Sequence, residues 1–329
     1  MADFSGYLAA DEIYDGPFCV LYIVDNRTFR RLACEVLARN PTKEDVGAFF
    51  GRFAEELAKR GLSVRGVTTD GSPLYPDAIM ANCPGARHQV CEFHVIKEIN
   101  KAVIRALAKV RKQLAKEKPQ LAKGRPAKEK KALVRKAKRI QERITELFEN
   151  RCLFVKRELS ASERAVLARI TRGHPELRVL RQIVEEVYRL FDRRCRTQTA
   201  LAKLAKLRKK VQRFVPLQRA LKKLWSPNLE KALTFLDDEL LPSTSNAVER
   251  TNRRHRKMQK SVYRVRTRRH VAQRIAMDMI REARAVRRRQ ALRSLHRDRT
   301  PPRAHKSKRR CRSAPVRLPA NPQQQKKAG

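Results

Sequence analysis

Three carboxylates occupy positions where a divalent metal site could form. Asp11 follows the first apolar run of the chain, Asp70 ends the apolar segment VRGVTT, and Glu249 opens a predicted helix in STSNAVERTNRRHR. Mg²⁺ takes one or two protein carboxylates and completes its shell with water and phosphate oxygens, so carboxylates converging from strand ends and a helix suit a pair of such ions. A lone Asp of this kind is more often a turn or cap residue. The combination therefore predicts Mg²⁺ chemistry, with Mn²⁺ as the substitute.

Cysteine and histidine are concentrated in a short segment after Asp70. The segment contains Cys83, His88, Cys91 and His94. These residue types bind Zn²⁺, but their gaps match no familiar zinc finger, and Cys91 with His94 supplies only half of a site. We therefore do not expect zinc, and we interpret Cys91 and His94 as packing and hydrogen-bonding residues that position the strand next to Asp70.

Basic residues follow Glu249 along the same predicted helix. They are Arg250, Arg253, Arg254, Arg256 and Lys257. Their spacing distributes them around the helix, so some can clamp nucleic-acid phosphates beside the carboxylates while others are solvated. We predict that this group contains nucleic-acid contacts.

Two further residues could support the site. Asn246 lies three residues before Glu249 and would share its helix face, where it could orient the carboxylate. The alternative for Asn246 is a helix N-cap, a role that Ser243 or Ser245 could equally fill. Trp225, the single tryptophan, could stack on a flipped base, although burial at a helix end is the simpler interpretation.

The charge of the chain is strongly positive and unevenly distributed. The 329 residues include 78 Lys and Arg against 33 Asp and Glu, and this net charge of +45 excludes a protein whose main partner is a cation or a neutral metabolite. Up to Val95 there are 10 basic and 13 acidic residues, and after it there are 68 and 20. Such a basic surface is typical of polyanion binding, because each neutralised phosphate releases counterions. Solvated helices with a charged tail, as in a ribosomal or chromatin-like protein, are the alternative.

Several features indicate a cytoplasmic protein. The longest apolar runs, such as residues 17–24, are far shorter than the roughly 18 residues that a membrane span needs. The first residues, MADFSGYLAADE, are acidic where a signal peptide would be basic. Seven cysteines at scattered positions favour reduced thiols over a disulfide framework. We therefore expect a protein that is neither secreted nor inserted into a membrane.

A predicted sheet in the first part of the chain would position the first two carboxylates. We expect strands at residues 4–10, 18–24, 30–37, 64–68 and 86–90. An amphipathic helix with a capping box of Thr42 and Asp45 follows the third strand, and a short helix covers residues 72–82. The order β-β-β-α-β-α-β is a meander followed by crossovers, which indicates an α/β or α+β layer.

Long helices are predicted from about His94 onward. Apolar residues recur at helical spacing as far as Pro242, with a break at residues 118–128 and a capping box of Ser160 and Glu163. One long basic helix is expected from Ala247 to about residue 290. The remaining residues are rich in Pro, Arg, Lys and Gln and should be disordered.

In combination these motifs resemble the DDE transposases of the ribonuclease H-like superfamily. The resemblance covers about residues 4–290, and it rests on the order of its motifs: Asp11 at a first strand, TTDGSPLYPDAI, HQVCEFH, a long helical stretch and TSNAVERTNRRHRKMQKSVYRVRTRRH. It is closest to the Mutator-like and related insertion-sequence groups that carry a Cys-x-x-His signature. The resemblance implies an α/β fold, in which a ribonuclease H-like mixed sheet with helices is interrupted by a large all-α insertion.

The resemblance also implies a domain organisation and a set of site residues. Residues 1–95 would form the first part of the catalytic core, 96–242 the basic all-α insertion, 243–298 the last catalytic helix region and 299–329 a disordered basic tail. Asp11, Asp70 and Glu249 would be the metal-binding catalytic triad, and Cys91 with His94 the signature pair. Asp15 is a weaker substitute for Asp11, and Asp25, at a hairpin turn, is interpreted as structural.

The implied activity is metal-dependent cleavage and strand transfer of double-stranded DNA, at transposon ends and at a target. The protein would be DNA-associated in the cytoplasm, without membrane contact, and a homodimer on DNA is compatible with this activity. Such transposases usually carry a DNA-binding region before the first strand, whereas here the expected core begins within a few residues of Met1. The sequence is therefore interpreted as a truncated copy, as one with an internal start codon, or as a protein that recognises DNA through its insertion and tail.

Two other functions are open at this point. One is a non-catalytic, basic nucleic-acid-binding protein, including a decayed transposase that still binds DNA. The other is a ribonuclease H-like nuclease without strand transfer, which would share the same triad. Metal-dependent nicking would distinguish the transposase and the nuclease from the non-catalytic binding protein. Joining of a 3′-hydroxyl end to DNA would then distinguish the transposase from the nuclease.

Overall fold

A five-stranded sheet near the start of the chain organises the molecule. The computed structural model describes residues 3–120, 128–212, 218, 221–260 and 267–284. The strands are β1 (Tyr7–Asp15), β2 (Phe18–Asp25), β3 (Arg31–Leu37), β4 (Gly66–Thr69) and β5 (Arg87–Val90). β1 to β3 form an antiparallel meander, β4 and β5 run parallel to β1, and the order across the sheet is β3-β2-β1-β4-β5. The predicted meander followed by crossovers is confirmed.

β1 extends further than the sequence indicated. It pairs with β2 as far as Asp15, which lies opposite Phe18, and Gly16 takes a positive φ of 64° in the tight connection. Asp11 is therefore inside the strand, and the prediction that it follows the first strand is wrong. The physical reason is that Asp11 and Asp15 face polar side chains of a helix, so this half of β1 lacks the apolar alternation by which a strand is recognised.

One face of the sheet is apolar and covered by two helices. These are α1 (Lys43–Ala58) and α2 (Tyr75–Asn82). α1 begins with the predicted capping box, in which the Thr42 hydroxyl accepts from the Asp45 N–H and the Asp45 carboxylate accepts from the Thr42 N–H. Its buried side chains are Val46, Phe49, Phe50, Phe53 and Leu57. They pack with α2 against Leu8, Leu21 and Val67 of the sheet, which makes one apolar core.

A second core is formed by long helices that begin directly after β5. The elements are α3 (Glu92–Lys116), α4 (Lys128–Glu149), α5 (Ala161–Ile170), α6 (Pro175–Leu190), α7 (Thr197–Gln212) and α8 (Pro227–Lys231), with 3₁₀ turns at Arg151–Phe154, Lys222–Trp225 and Thr234–Asp237. The capping box of Ser160 and Glu163 at the start of α5 is confirmed. Tyr7 and Val90 of the sheet join the apolar side chains of these helices in one cluster.

The chain returns from the helices to the sheet through buried polar contacts. The Gln89 amide of β5 donates to the carbonyl of Ala232 at 2.9 Å and accepts from the N–H of Phe235 at 2.9 Å. The Thr68 hydroxyl of β4 donates to the carbonyl of Pro242 at 3.2 Å. These contacts bring the segment that follows α8 to the ends of β4 and β5.

Two helices end the described part of the chain. They are α9 (Asn246–Gln259) and α10 (Arg268–Arg284). The prediction of one long helix is wrong, because α9 ends at its C-cap Lys260. Arg254 of α9 forms an ion pair with Glu282 of α10, and Glu282 also pairs with Arg31 of β3 at 2.7 Å. In one straight helix Arg254 and Glu282 would lie about 42 Å apart, so the chain folds back to let them meet.

The mixed sheet with helices on its faces is the ribonuclease H-like α/β fold that the resemblance implied. The helical block leaves the sheet after β5 and returns before α9. The boundaries at residues 95, 242 and 298 stay predictions. The last residues of the helix expected to reach about residue 290, and the tail from residue 299, lie outside the described residues.

Candidate functional site

Asp11, in the middle of β1, and Asp70, directly after β4, lie next to each other on neighbouring parallel strands. The ladder between β1 and β4 pairs Ala9 with Thr68, and each carboxylate follows two residues later. Residues two apart share a face of a strand, and adjacent strands are about 4.8 Å apart. The fold therefore brings the two carboxylates close together on the sheet face opposite α1.

The environment of Asp11 disfavours its charged form. The pKa of Asp11 is raised from 3.8 to about 7, first by burial and then by the neighbouring carboxylates of Asp70 and Glu12. A hydrogen bond of 3.0 Å from the Glu12 N–H and the nearby His94 act in the opposite direction. Negative charge is thus gathered in a largely buried place, where a divalent cation would stabilise it.

Asp70 is held by a tight turn. Its Oδ1 accepts a hydrogen bond of 2.8 Å from the N–H of Ser72, and Gly71 between them takes a φ of 97°. A Cβ at Gly71 would come within 2.9 Å of the Asn228 amide, whose Nδ2 donates to the Gly71 carbonyl at 3.0 Å. Asp70 is therefore a turn residue, as a lone Asp usually is. The turn uses only its Oδ1 and fixes the orientation of the carboxylate at the end of β4.

Glu249 lies in the first turn of α9, close to the end of β4. Both Asp70 and Glu249 raise the pKa of His94, after the larger effect of Cys91, so His94 lies within electrostatic range of both carboxylates. Among the described residues, however, no group of three or more His, Cys, Asp or Glu side chains is placed to hold a metal ion. The structure thus brings Asp11 and Asp70 together and places Glu249 near the same His94, without a closed three-ligand site.

Cys91 connects the strand that carries Asp70 to the helix that carries Glu249. Its N–H donates to the carbonyl of Thr69 at 2.7 Å, and its Sγ accepts from the N–H of Ser245 at 3.4 Å. Burial raises the pKa of the Cys91 thiol, but contacts with His94 and Ser245 lower it by more. The signature pair therefore borders the end of β4 and the start of α9.

Cys83 and His88 do not join the signature pair. Cys83 is buried in the apolar core under α1 and α2. A ring nitrogen of His88 lies 2.9 Å from the Thr69 hydroxyl, and burial lowers the pKa of His88 to about 4. Cys83 and His88 thus have other partners than the pair formed by Cys91 and His94.

Asn252 contacts Asp11 directly, and the sequence analysis did not identify it. Its Nδ2 donates to Asp11 Oδ2 at 2.7 Å. Asn252 lies one helical turn after Glu249, so the helix that presents Glu249 is fixed on the strand that presents Asp11. The spacing of Asn252, His255 and Gln259 along one helix face was the available signal, because these are polar residues at positions that normally carry core residues.

Asn252, His255 and Gln259 form a polar ladder on β1. His255 Nε2 lies 3.1 Å from Asp15 Oδ2, and the same oxygen accepts a hydrogen bond from Gln259. The other ring nitrogen of His255 lies 3.1 Å from the Tyr22 hydroxyl of β2. Asp15, considered a substitute for Asp11, is therefore engaged by the helix.

The predicted nucleic-acid contacts have different surroundings. The Arg250 guanidinium lies 4.6 Å from the centre of the Phe29 ring, and Arg254 pairs with Glu282. Three others are exposed on α9: Arg253, Arg256 and Lys257. Their positions are interleaved with the polar ladder, so the helix presents one face to β1 and basic side chains to solvent.

The two supporting residues lie at the edges of their elements. Asn246 is exposed at the start of α9, and the N-cap is Ser245, whose side chain makes no capping hydrogen bond. Trp225 ends a 3₁₀ turn, is partly buried and packs against the helical core.

Asp25, interpreted as structural, accepts hydrogen bonds from Ser5 and from the N–H of Thr28.

Within the described residues, no helix has both the length and the apolar character needed to cross a membrane.

Comparison with known proteins identifies a family. No curated protein matches the chain in sequence. A family model for transposases, of the DDE type called ISL3, matches residues 21–275. The match includes Asp70 and Glu249 and begins after Asp11. The assignment to the Mutator-like group stays a prediction. Because the match covers well over half of the chain, and the sheet is the one such enzymes are built on, the chain belongs to this family of transposases.

Proposed function

We propose that this transposase cleaves DNA strands and joins 3′-hydroxyl ends to target DNA with a divalent metal ion, and that Asp11, Asp70 and Glu249 are its metal-binding catalytic residues. One observation carries the proposal: the partly buried Asp11 carboxylate lies beside that of Asp70, and its two hydrogen bonds come from neutral donors, the N–H of Glu12 and the amide of Asn252. Ionised carboxylates held this close together raise the free energy of the folded protein unless a cation binds between them.

The donor set fits Mg²⁺, or Mn²⁺ in its place. Mg²⁺ binds through one or two carboxylates together with substrate phosphates, so Asp11 and Asp70 suffice for one ion before DNA arrives. Glu249 would complete the site from the start of α9, next to His94. When bound, the ion polarises the phosphodiester and neutralises charge on the oxygens that attack and leave.

The chain's own side chains would hold double-stranded DNA beside these carboxylates. The exposed Arg253, Arg256 and Lys257 lie on the helix that begins with Glu249, within three helical turns of it. Guanidinium and ammonium groups bind backbone phosphates without reading sequence. α9 would therefore position a DNA strand and present a catalytic carboxylate to it.

Strand transfer joins both ends of a mobile element to one target. We therefore propose that two copies of the chain act together on DNA. Light scattering of the protein with a duplex carrying two binding sites should show a two-to-one complex, and a one-to-one complex that still joins strands would oppose this proposal.

The test is metal-dependent nicking of supercoiled plasmid. The parent protein should convert the plasmid to open circles with Mg²⁺ or Mn²⁺ and not with EDTA, and Asp70→Ala should abolish this. Asp77→Asn is the matched control, because Asp77 is an exposed carboxylate of α2 that pairs with Lys43 at 2.7 Å, and it should nick like the parent. A second assay follows the joining of a labelled 3′-hydroxyl oligonucleotide to plasmid.

Each outcome selects one function. Nicking and joining that both require Asp70 support the transposase. Nicking without joining favours a nuclease of the same fold. DNA binding without metal-dependent nicking by the parent protein would favour the non-catalytic, basic nucleic-acid-binding protein.

A further inference from the structure

The Asn252 side chain is buried with one of its two polar atoms unused. The residue is 5 % exposed, and its Nδ2 donates to Asp11 Oδ2 at 2.7 Å. Its Oδ1 is buried and has no hydrogen-bond partner. A buried amide oxygen is normally paired, so an unpaired one next to a carboxylate needs an explanation.

The orientation of the amide follows from its partner. With a divalent ion bound, Asp11 would be an ionised carboxylate that only accepts hydrogen bonds, so the nitrogen of Asn252 faces Asp11 and the oxygen faces elsewhere. Exchanging the two ends would place oxygen against oxygen. The unpaired atom is therefore an acceptor whose position is fixed by the contact with Asp11.

A second unpaired atom belongs to the same site. Only four buried side-chain nitrogen or oxygen atoms in the described part of the chain lack a hydrogen-bond partner, and they belong to Thr28, His94, His174 and Asn252. His94 is within electrostatic range of all three proposed metal ligands. Two of the four unpaired atoms thus belong to side chains that lie near the same carboxylates, and the one on Asn252 belongs to a side chain in direct contact with Asp11.

We propose that Asn252 is a positioning residue of the metal site: its Nδ2 fixes the Asp11 carboxylate, and its Oδ1 accepts a hydrogen bond from the water shell of the divalent ion. This inference rests on the proposed function, because it assigns a role toward the ion that Asp11 and Asp70 would hold. Groups that orient a metal ligand in this way typically change metal affinity by about 10- to 100-fold when they are removed.

The far end of the polar ladder provides a matched comparison. Gln259 donates its amide to Asp15 from the same face of α9, about two turns beyond Asn252. Asp15 Oδ2 also has His255 as a partner, so that end joins helix to strand through more than one contact. Removal of either amide should loosen α9 on β1, but only removal of Asn252 should change metal affinity.

The experiment is a titration of the full chain with Mn²⁺, followed by the electron paramagnetic resonance signal of the free ion. The variants are Asn252→Ala, Asn252→Leu, which keeps a similar volume, Gln259→Ala and Asp70→Asn. Circular dichroism and thermal melts select conditions in which every variant is folded. We expect Asn252→Ala and Asn252→Leu to bind Mn²⁺ about 10- to 100-fold more weakly than the parent, and Gln259→Ala to bind within about twofold of it.

Two results separate this inference from the function it rests on. If Asp70→Asn weakens Mn²⁺ binding and both Asn252 variants keep the parent affinity, the metal site stands and the role of Asn252 is overturned. Equal weakening by Gln259→Ala would also overturn it, because the effect would then come from loosening of α9. If Asp70→Asn binds Mn²⁺ like the parent, the proposed metal site itself fails, and the inference fails with it.

Discussion

The Asp11 carboxyl lies where burial and neighbouring negative charge both oppose its ionisation. In the folded protein it keeps its proton up to about pH 7, whereas in the unfolded chain it releases the proton near 3.8. The folded state therefore binds more protons between these two values. Its contribution to stability is fully present below about pH 4 and is lost as the pH rises through about 7.

This difference predicts a pH dependence of stability in the absence of metal. The free energy of unfolding, measured with urea in EDTA, should fall between pH 5 and pH 8 through the contribution of Asp11. Asp11→Asn removes the titrating group and should flatten this fall, whereas the exposed Asp77→Asn should keep it. A parent-like fall in the Asp11→Asn protein would show that another group is responsible.

Glu249 and Arg253 are expected to separate chemistry from binding. Glu249→Gln keeps size and helix propensity but removes a charge that binds metal, so DNA affinity should be retained while metal-dependent nicking is lost. Arg253→Ala removes a basic side chain exposed on α9 and should lose affinity first, by about 2- to 10-fold. Filter binding and plasmid nicking measure the two properties. Equal loss of both in the two variants would mean that Glu249 is structural.

Among the elements, one buried side chain makes two of the contacts by which the helical block returns to the sheet. The Gln89 side chain of β5 accepts a hydrogen bond from the N–H of Phe235 through its Oε1 and donates one to the carbonyl of Ala232 through its Nε2. Gln89→Leu has a similar shape but leaves both backbone groups buried and unpaired, so the free energy of unfolding should fall by about 2–4 kcal/mol. Chemical denaturation measures this. The exposed Gln113→Leu on α3 is the control and should change it by less than about 0.5 kcal/mol. A similar value for both would assign the attachment to apolar packing.

Elements with local signals were predictable from the sequence, and contacts between distant elements were not. The capping box of Thr42 lies within four residues, and the order of strands follows from apolar runs and turn residues. Asn252 meets Asp11 across 241 positions, and no local pattern indicates that contact. The ion pair that Arg254 of α9 makes with Glu282 of α10 likewise joins residues 28 positions apart, and no local pattern indicates it. Asp70 and Glu249 were predicted as site residues because a motif order, rather than a contact, marks them, and their catalytic role stays a prediction.

At the scale of the whole molecule, the basic charge lies almost entirely after the sheet. Up to Val95 acidic residues outnumber basic ones, while the helices and the last residues carry 68 Lys and Arg. The acidic carboxylate site is thereby joined to a chain segment that attracts polyanions over long distances. Most of the charge that would attract DNA thus lies in a different part of the sequence from Asp11 and Asp70, whereas Glu249 lies within the basic part.

This distribution predicts a strong dependence of DNA binding on salt. The logarithm of the affinity for generic duplex should fall linearly with the logarithm of salt concentration, with a slope of about −0.9 for each neutralised phosphate. Fluorescence anisotropy at several salt concentrations measures this slope. Truncation after Arg299 removes part of the positive charge, so binding should weaken while nicking at saturating protein is unchanged. Salt-independent binding between low and physiological salt would contradict this account.

The unequal lengths of β1 and β4 have a consequence for solubility. The ladder between them ends at Ala9 and Thr68, and in the described sheet no strand lies beyond that point on this side of β1. The second half of β1 is therefore an edge that could pair with a strand of another molecule. Asp11 and Asp15 hold α9 across the sheet face beside this edge, and charged side chains along an edge strand disfavour such pairing. A change that detaches α9 should therefore cause aggregation through β1 before it causes global unfolding.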